Sequence, residues 1–382
     1  MTATGGSATR IVLLGAGHAH HYALAHLEAY ARSGCAVTLV AENPFWYSGM
    51  ASGILGGDYA PEEAQIDVFA LAARGGATVV AGRATFIDRP GRRVVLEDGK
   101  TVPYDLVSLA IGSGVRTDLT LPGPESAFTV KPLARLWDLR CVLERLVHER
   151  AQAPVTVVVI GGGASACEAA ANAHALITAR GGRAQIVLVT GETWLSVLPD
   201  HVRAQVARDF ARRGIRVERA RALGCTAHGV AVVGRPVITC DAVVIATGLK
   251  PPPLAAASGL PVDGEGALLV DANLRSLGDP RIFGGGDCIA IAGHDVPRLG
   301  VFAVRQGPVL HANLIAAARG TQLRIYRPQR RWLSILNLGD HRGLATWGPF
   351  NWHGRGAWLL KDRIDRAFIR RYRRTCLARW SS

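Results

Sequence analysis

The chain has 382 residues, of which 49% are hydrophobic, and carries a formal net charge of +14. This length and apolar content exclude a disordered chain and allow two or three domains with buried cores. The positive charge is concentrated at one end, where Lys361 to Arg379 contains eight basic residues against Asp362 and Asp365. An anionic surface fits this asymmetry better than a nucleic-acid groove, so we expect no nucleic-acid partner.

The seven cysteines form no CxxC or CxxxxC pair, and their number is odd. We therefore expect no disulfide framework, and we expect the protein to be in a reducing cytoplasm. The sequence has no apolar run near the ~18 residues that span a bilayer. We expect a cytoplasmic protein, either soluble or peripheral on the cytoplasmic face of the inner membrane.

The first predicted unit is a strand (11–14), a glycine turn, a helix (18–33) and a second strand (36–40). The turn is Gly15-Ala16-Gly17, where the lack of Cβ lets the backbone approach a pyrophosphate at a helix N-terminus. Glu42 follows the second strand and is placed to accept from ribose hydroxyls. His20 stands where the third glycine of GxGxxG is usual, so a purely structural turn is the alternative.

The same unit recurs after a predicted helix at 133–150. Strand 155–160 is apolar, Gly161-x-Gly163-x-x-Ala166 follows, and further strands are predicted at 186–189 and 242–246. This repeat indicates a second dinucleotide site. No acid stands directly at the end of strand 186–189, so the choice between NADH and NADPH stays open. A degenerate domain without the nucleotide is the alternative.

A third element follows, in which a short apolar strand ends in Gly284-Gly285-Gly286-Asp287. An aspartate in this place can accept from the ribityl chain of FAD. A helix beginning near Gly300 would direct its positive N-terminus at the flavin. A Gly-Asp pair is often only a turn, but its place after two dinucleotide motifs makes it specific.

In this order the motifs resemble the pyridine nucleotide-disulfide oxidoreductases over nearly the full chain. Within them the chain resembles the branch of type II NADH dehydrogenases and sulfide:quinone oxidoreductases. More narrowly, it is similar to the FAD-dependent module associated with selenide, water dikinase, a match that rests on residues 14–20, 47–50, 130–132, 300–308, 336–340 and 360–366.

The resemblance implies an α/β fold with two Rossmann-like dinucleotide-binding domains of the glutathione reductase type, for FAD and NAD(P). A small C-terminal segment with an amphipathic helix completes it. The predicted FAD-binding domain comprises 1–118 and 263–325, and the NAD(P)-binding domain comprises 119–262 with a linker helix at 133–150. The C-terminal segment is 326–382.

The same resemblance implies the ligand contacts. For FAD they are Gly15, Ala16, Gly17, His18, Glu42, Ser48, Gly112, Gly286, Asp287, Val301, Phe302 and Ala303. For NAD(P) they are Gly161, Gly163, Ala164, Glu168 and Gly248.

The implied activity is an FAD-dependent NAD(P)H:acceptor oxidoreductase with a quinone as the favoured acceptor. Disulfide reductases of the superfamily carry CxxxxC beside the flavin, whereas this chain has Asn43 to Met50 there, without cysteine. Electrons must then leave the flavin directly. The alternatives are a selenium- or sulfur-compound oxidoreductase, and a non-catalytic flavin-binding partner in selenium metabolism.

The candidate catalytic residues are Lys131, Arg305 and Gln306. Arg305 and Gln306 match the segment that borders both flavin and quinone in the dehydrogenase branch, although both residues could be ordinary solvated helix residues. Lys131 could reach the flavin, pair with Glu42, or lie free on the surface.

Cys167 falls near a position where sulfide oxidisers carry a reactive cysteine, and the N-terminus of the helix after Gly163 would lower its pKa. The second cysteine that those enzymes need is missing from residues 332–340, so Cys167 and Cys288 are interpreted as packing residues, with a part for Cys167 in the chemistry as the alternative. Four histidines at 18, 20, 21 and 26 cluster in sequence. No acid or cysteine completes a ligand set, so no metal is predicted.

The tail carries Leu360, Ile364, Phe368 and Tyr372 at a spacing of four, with arginines on the other faces. Such a helix either lies on an anionic membrane through residues 358–379 or packs on the protein's own core. Selenide, water dikinase and a second copy of the chain are further possible partners.

Overall fold

The computed structural model describes residues 8–116, 119, 126–150, 153–192, 194–226 and 229–377, with side chains up to residue 373. The predicted boundary after residue 118 and the last residues of the predicted membrane segment, 378–379, therefore lie outside the described residues.

The described elements up to residue 116 surround the first glycine turn. In chain order they are β1 (Thr9–Leu14), α1 (His18–Leu24), α2 (Leu27–Ala31), β2 (Cys35–Ala41), β3 (Phe45–Trp46), α3 (Ala51–Gly56), β4 (Gln65–Ile66), α4 (Val68–Arg74), β5 (Thr78–Ala81), β6 (Ala84–Asp88), β7 (Arg93–Leu96), β8 (Thr101–Pro103), β9 (Leu106–Leu109) and β10 (Gly114–Val115).

The next elements surround the second glycine turn. They are β11 (Ala127–Thr129), α5 (Ala134–Glu149), β12 (Val155–Ile160), α6 (Ala164–Ala179), β13 (Ala184–Val189), α7 (Asp200–Arg212), β14 (Arg216–Glu218), β15 (Ala222–Thr226), β16 (Gly229–Val232), β17 (Ile238–Thr239), β18 (Ala242–Ile245) and β19 (Leu249–Lys250).

The remaining elements return to the first region and then form the C-terminal segment. They are α8 (Leu254–Ala257), β20 (Leu268–Val270), β21 (Ile282–Gly284), β22 (Ile289–Ile291), α9 (Gly300–Ala318), β23 (Leu333–Asn337), β24 (Gly343–Trp347), β25 (Phe350–Gly354) and α10 (Arg355–Leu377).

A parallel sheet carries each glycine turn. The first has the strand order β21-β9-β1-β2-β5 and the second the order β11-β18-β12-β13-β14. Their central strands are apolar where they are buried, from Ile11 to Leu14 in β1 and from Val157 to Ile160 in β12, as strands covered on both faces must be. The predicted α/β fold with two Rossmann-like domains and a C-terminal helix is confirmed.

Strand β21 belongs to the first sheet although it follows the second sheet in the chain. It pairs with β9 in parallel register, with Ile282 opposite Val107. The first sheet is thus assembled from segments on both sides of the second. On this basis we propose the predicted division, with 1–118 and 263–325 in one domain and 119–262 in the other.

The predicted helix at 18–33 is wrong in its length, because it is broken into α1 and α2. His26 lies between them with φ of −133° and ψ of 37°. Its Nδ1 lies 2.7 Å from the carbonyl oxygen of Tyr22, the group that the backbone N–H of residue 26 would bond in a continuous helix. A local side-chain bond therefore replaces a helical one.

Candidate active site and dinucleotide sites

The first glycine turn joins β1 to α1 and packs against the end of β9. Gly15 has a φ of +78°, and the N–H of Gly17 donates to the carbonyl oxygen of Ala110 at 2.9 Å. A Cβ at Gly17 would lie 2.4 Å from that oxygen, and one at Gly15 would lie 2.6 Å from it. Both positions therefore require glycine. Among the described residues no side chain caps α1, which leaves its N–H groups for an anion such as a pyrophosphate.

His20 is fully buried and connects this turn to β9. Its Nδ1 lies 2.6 Å from the carbonyl oxygen of Gly15, and its Nε2 lies 2.8 Å from Oγ of Ser108. Since a carbonyl oxygen only accepts, Nδ1 donates, and Nε2 accepts from the Ser108 hydroxyl. Burial lowers the pKa of His20 to about 4, although the bond to Gly15 opposes this shift. The ring is therefore neutral and supports the turn where a glycine would be usual.

Glu42 follows β2 at the sheet edge of the first glycine turn. Its carboxylate pairs with Arg83 at 2.9 Å, and both side chains are largely exposed. The prediction that Lys131 could pair with Glu42 is wrong, because Lys131 pairs with Asp287. The predicted contact of Glu42 with a ribose remains a proposal, for which its exposed oxygens are accessible.

Asp287 joins polar groups from three chain segments. Its Oδ2 accepts from Nζ of Lys131 at 2.9 Å and from Oγ of Ser113 at 2.8 Å. Burial alone would raise the pKa of Asp287, but the charge of Lys131 and these two hydrogen bonds outweigh burial and lower it. Asp287 is thus an ionised, mostly buried acceptor beside Gly112 and Gly286. Lys131 is 23% exposed and paired, so the interpretation of it as a free surface lysine is wrong.

Helix α9 begins beside this carboxylate. Gln306 is 2% exposed, and its Oε1 accepts from the N–H of Gly286 at 2.6 Å, so it fixes the Gly-Asp turn to the helix. The interpretation of Gln306 as a solvated helix residue is therefore wrong. Arg305 is exposed, in keeping with that interpretation. Phe302 and Ala303 are buried and Val301 is half-buried in the first turn.

An aromatic cluster surrounds His18 on the other side of the first turn. The rings of Phe45, Tyr47 and Phe368 lie 5.3, 5.5 and 5.7 Å from the His18 ring. Burial lowers the pKa of His18 to about 4, with Asp287 opposing the shift and Lys131 adding to it. His18 thus lies between the Asp287 cluster and these rings. Ser48 follows Tyr47 in a short 3-10 turn and is half-buried.

Helix α10 packs on the first domain. The ring of Phe368 stacks on Tyr47 with 4.3 Å between centroids, and Tyr372, 3% exposed, lies 4.9 Å from His21. Because these rings bury each other, the predicted membrane stripe is wrong for Phe368 and Tyr372. The alternative prediction, that the stripe packs on the protein's own core, is confirmed for these two residues.

Polar side chains fix α10 in place. The hydroxyl of Tyr47 donates to Asp365 at 3.0 Å, and Nζ of Lys361 donates to the other oxygen of Asp365 at 2.6 Å. The hydroxyl of Tyr59 donates to Asp362 at 2.9 Å. Sequence reasoning missed this network. The only signal was the acidic and basic pattern at 360–366, which identified a resemblance but no contact.

The second glycine turn has an open edge. A Cβ at Gly161 would lie 2.2 Å from the carbonyl oxygen of Ala246, whereas a Cβ at Gly163 would meet no described atom within 4 Å. Ala166, in the first turn of α6, is fully buried. No described side chain caps α6, and Ala164 begins it. The arrangement therefore offers free N–H groups and open space together, as a bound pyrophosphate requires.

Glu168 lies one turn into α6, facing α3 and β23. Its Oε1 accepts from Oγ of Ser52 at 3.1 Å and from the N–H of Asn337 at 2.8 Å. Burial raises the pKa of Glu168, and the charge of Lys361 partly opposes the shift. These bonds join the two domains and the C-terminal segment. The predicted contacts of Glu168 and of the exposed Gly248 with NAD(P) remain proposals.

Cys167 and Cys288 lack the environment of reactive thiols. Cys167 is fully buried and accepts from Nε1 of Trp194 at 2.9 Å, and burial raises the pKa of its thiol to about 12. Burial raises the pKa of Cys288 likewise to about 12. Within the described part of the chain, no three His, Cys, Asp or Glu side chains are grouped to hold a metal ion.

A cavity of about 220 Å³ lies between the Gly286-Asp287 turn and the start of α9. Ile289, Ile291 and Phe302 form apolar walls, and His294 and Arg298 contribute polar groups. Nε of Arg298 donates to the carbonyl oxygen of Asp287 at 3.2 Å. Sequence reasoning missed His294 and Arg298, because the loop 292–299 has no recognisable motif.

Residues 9–307 match the model of the pyridine nucleotide-disulphide oxidoreductase family. The chain belongs to this family. It is therefore an oxidoreductase that uses FAD and NAD(P)H. None of the helices in the described residues is long and apolar enough to cross a membrane.

Individual proteins of this kind are similar over most of the chain. The ferredoxin--NAD(+) reductase component of the anthranilate 1,2-dioxygenase system of Burkholderia cepacia is 32% identical over 81% of this chain and 77% of its own length. The NADH dehydrogenase-like protein YutJ of Bacillus subtilis is 22% identical over 74% and 77%.

Solved structures show the same fold at lower identity. The sulfide:quinone oxidoreductase of Aquifex aeolicus has a TM-score of 0.82 at 17% identity, covering 96% of this chain and 92% of that one. NDH2 from Plasmodium falciparum has a TM-score of 0.79 at 13% identity, covering 98% of both chains.

Proposed function

We propose that this flavoprotein passes electrons from NAD(P)H through FAD directly to a small quinone-like acceptor. The observation that carries the proposal is the absence of a thiol pair where family members with a redox disulfide hold theirs. Residues 43–50 contain no cysteine, and Cys167 and Cys288 are buried thiols with a raised pKa. A thiolate relay needs the opposite environment, an accessible thiol with a lowered pKa.

The residues at the first turn fit FAD. We propose that the N–H groups after Gly15 and Gly17 bind the pyrophosphate, with Ala16 and His18 beside it. Glu42 accepts from the ribose and the ionised Asp287 accepts from the ribityl hydroxyls. Bound FAD supplies hydride acceptance and two-electron transfer. The remaining walls of this proposed site are formed by Ser48, Gly112, Gly286, Val301, Phe302 and Ala303.

The open edge of the second turn fits a nicotinamide nucleotide. We propose that Gly161, Gly163 and Ala164 hold its pyrophosphate at the N-terminus of α6, and that Gly248 borders it from the segment between β18 and β19. Glu168 positions α6 against α3 through Ser52.

We propose that Lys131 and Gln306 act at the flavin edge. Lys131 is held by Asp287 and Ser113, so its ammonium is fixed in place as a charge and donor. Gln306 holds the Gly286 turn beside α9, whose N-terminus favours negative charge. Arg305 is exposed and paired with no described acid, so its proposed role is to attract or orient an acceptor rather than to touch the flavin.

The cavity beside Asp287 and Gln306 favours the proposal that the acceptor is a small molecule. Its apolar side chains and few polar groups are typical of sites for small organic ligands, although about 220 Å³ suits only the head of a quinone.

A ferredoxin-type acceptor is the second candidate. It is favoured by the 32% identical relative named as a ferredoxin--NAD(+) reductase component. Such an acceptor needs no cavity, because a protein acceptor docks on the surface.

The acceptor can be decided by steady-state oxidation of NADH and NADPH by the FAD-loaded protein. The panel should hold a short-chain quinone, a ferredoxin, and selenium and sulfur compounds. We expect turnover with the quinone and a loss of roughly tenfold or more in Gln306→Ala, with Arg319→Ala, at the exposed residue that follows the same helix, as the control. Turnover with ferredoxin alone would favour the second candidate. The proposed link to selenide, water dikinase would gain support only from turnover with selenium compounds.

A further inference from the structure

The sheet β23-β24-β25 has one apolar face turned to solvent. In antiparallel pairing, Leu333 lies opposite Trp347, and Trp347 lies opposite Phe350. Trp352 stands two residues beyond Phe350, so these side chains share one face. Leu333, Trp347, Phe350 and Trp352 are 39%, 52%, 68% and 51% exposed. We call them the outer face.

The opposite face of this sheet is part of the core. Leu336 and Leu344, which are paired across β23 and β24, are 7% and 0% exposed. They pack in the same core as α6. The fold therefore buries this side of the sheet and leaves the Leu333, Trp347, Phe350 and Trp352 end of the other side open.

Helix α10 covers one end of the outer face. A Cβ at Gly343 would lie 2.7 Å from the backbone nitrogen of Trp358, so glycine is needed for this contact. The ring of Trp352 lies against Gly356. Leu359, one turn later on α10 and 57% exposed, continues the apolar surface from the sheet onto the helix.

Arginines border this apolar surface. Arg330 and Arg331 precede Leu333, and the side chain of Arg331 reaches the turn at Gly348. Arg355 and Arg363 stand one turn before and one turn after Leu359 on α10. All four arginines are exposed, and none forms an ion pair with an acid of the described residues.

We infer that the outer face docks on an anionic lipid surface. Tryptophan and phenylalanine side chains with a rim of free arginines are the composition that enters a membrane interface. Each arginine near an anionic leaflet adds attraction. A two-fold contact with a second copy would place one arginine rim against the other, which charge repulsion opposes.

This inference rests on the proposed function in one respect, since it brings the enzyme to an acceptor dissolved in lipid. The proposed membrane surface is the outer face with Leu359, in place of the predicted helix stripe, of which Tyr372 is buried and Phe368 is half-buried against Tyr47.

The test is co-sedimentation of the full-length, FAD-loaded protein with vesicles of phosphatidylcholine, with and without phosphatidylglycerol. We expect binding to the anionic vesicles that weakens at high salt. Phe350→Ser should weaken it roughly tenfold or more, and Arg331→Gln roughly fivefold. Phe86→Ser and Arg145→Gln, exposed changes elsewhere, should bind as the wild type does.

Turnover with a soluble quinone separates this inference from the proposed function. Absent or unchanged vesicle binding in Phe350→Ser would overturn the docking surface, whether or not the quinone is reduced. If the protein binds vesicles but reduces no quinone, the proposed quinone acceptor is wrong and the proposed docking surface stands. A dimer in solution that Phe350→Ser dissociates would also overturn the inference, because it assigns the face to a second copy.

Discussion

The two glycine turns share one topology but differ in what supports them. At the second turn the small Ala166 lets α6 lie directly against Gly161, and α6 runs unbroken for 16 residues. At the first turn His20 takes the equivalent place and connects Gly15 to Ser108 by hydrogen bonds, and the helix breaks after seven residues. Close packing thus supports one turn and a neutral buried imidazole supports the other. The first turn should therefore lose support in mild acid through its histidine, whereas the packing of Ala166 at the second turn has no group to titrate.

The largest expected effect is loss of stability in mild acid. Burial lowers the pKa of His18 and His20 to about 4 and of His21 to about 3, below the ordinary value of 6.5. Between these limits the unfolded chain binds protons that the folded chain excludes, so their contribution is complete above pH ~6.5 and is lost as pH falls. Since an unfolded histidine is already half-protonated at pH 6.5, each of the three lowers the free energy of unfolding by about 1.6 kcal/mol from pH 6.5 to 5, or about 5 kcal/mol together.

Urea unfolding across this pH range checks the effect. His20→Gln, which can still bond both partners, should show a shallower fall than the wild type. An identical slope in both proteins would mean that other groups cause the acid sensitivity.

The next effect compares the turns directly through Gly17→Ala and Gly163→Ala. At Gly17 the new methyl would meet the backbone of Ala110, so we expect about 3 kcal/mol lower stability and poor FAD retention. At Gly163 the methyl enters open space, so stability should change by less than about 0.5 kcal/mol, while the KM for NAD(P)H rises. Thermal unfolding and steady-state kinetics measure both. Equal destabilisation by the two changes would contradict the difference in packing.

These features show what the sequence can predict. Gly15, Gly17, Gly161 and Asp287 can be predicted because each stands in a short contiguous motif at the end of a strand, although the atoms that each one meets lie far along the chain. The partner of Lys131 and the cluster of Tyr47 with Phe368 are not readable, since they join residues far apart in the chain. The break after α1 depends on one competing bond of His26, which helical periodicity does not reveal.

A smaller effect concerns Glu42, which has an exposed carboxylate at the first turn. Glu42→Ala should weaken FAD binding by about 1.5–3 kcal/mol, because a charge-assisted hydrogen bond to the ribose is lost. Arg83→Ala, which removes only the ion-pair partner, is the control and should retain FAD. Fluorescence titration of the protein with FAD gives both affinities, and equal losses would assign the effect to the ion pair.

The smallest effect is expected at Cys167, under the second turn. Cys167→Ser should keep turnover within several-fold of the wild type, because the thiol is buried and its pKa is raised. Cys288→Ser should behave alike. A loss of roughly 100-fold with FAD retained would place a sulfur in the electron path.

Anaerobic reductive titration tests the central claim most directly, since it counts the electrons that the FAD-loaded protein holds. Without a thiol pair, one equivalent of NADH or NADPH per flavin should bleach the flavin completely, and one equivalent of quinone should restore its colour. A requirement for two equivalents of nucleotide per flavin, or a flavin that neither nucleotide bleaches, would contradict direct transfer from NAD(P)H through FAD to the acceptor.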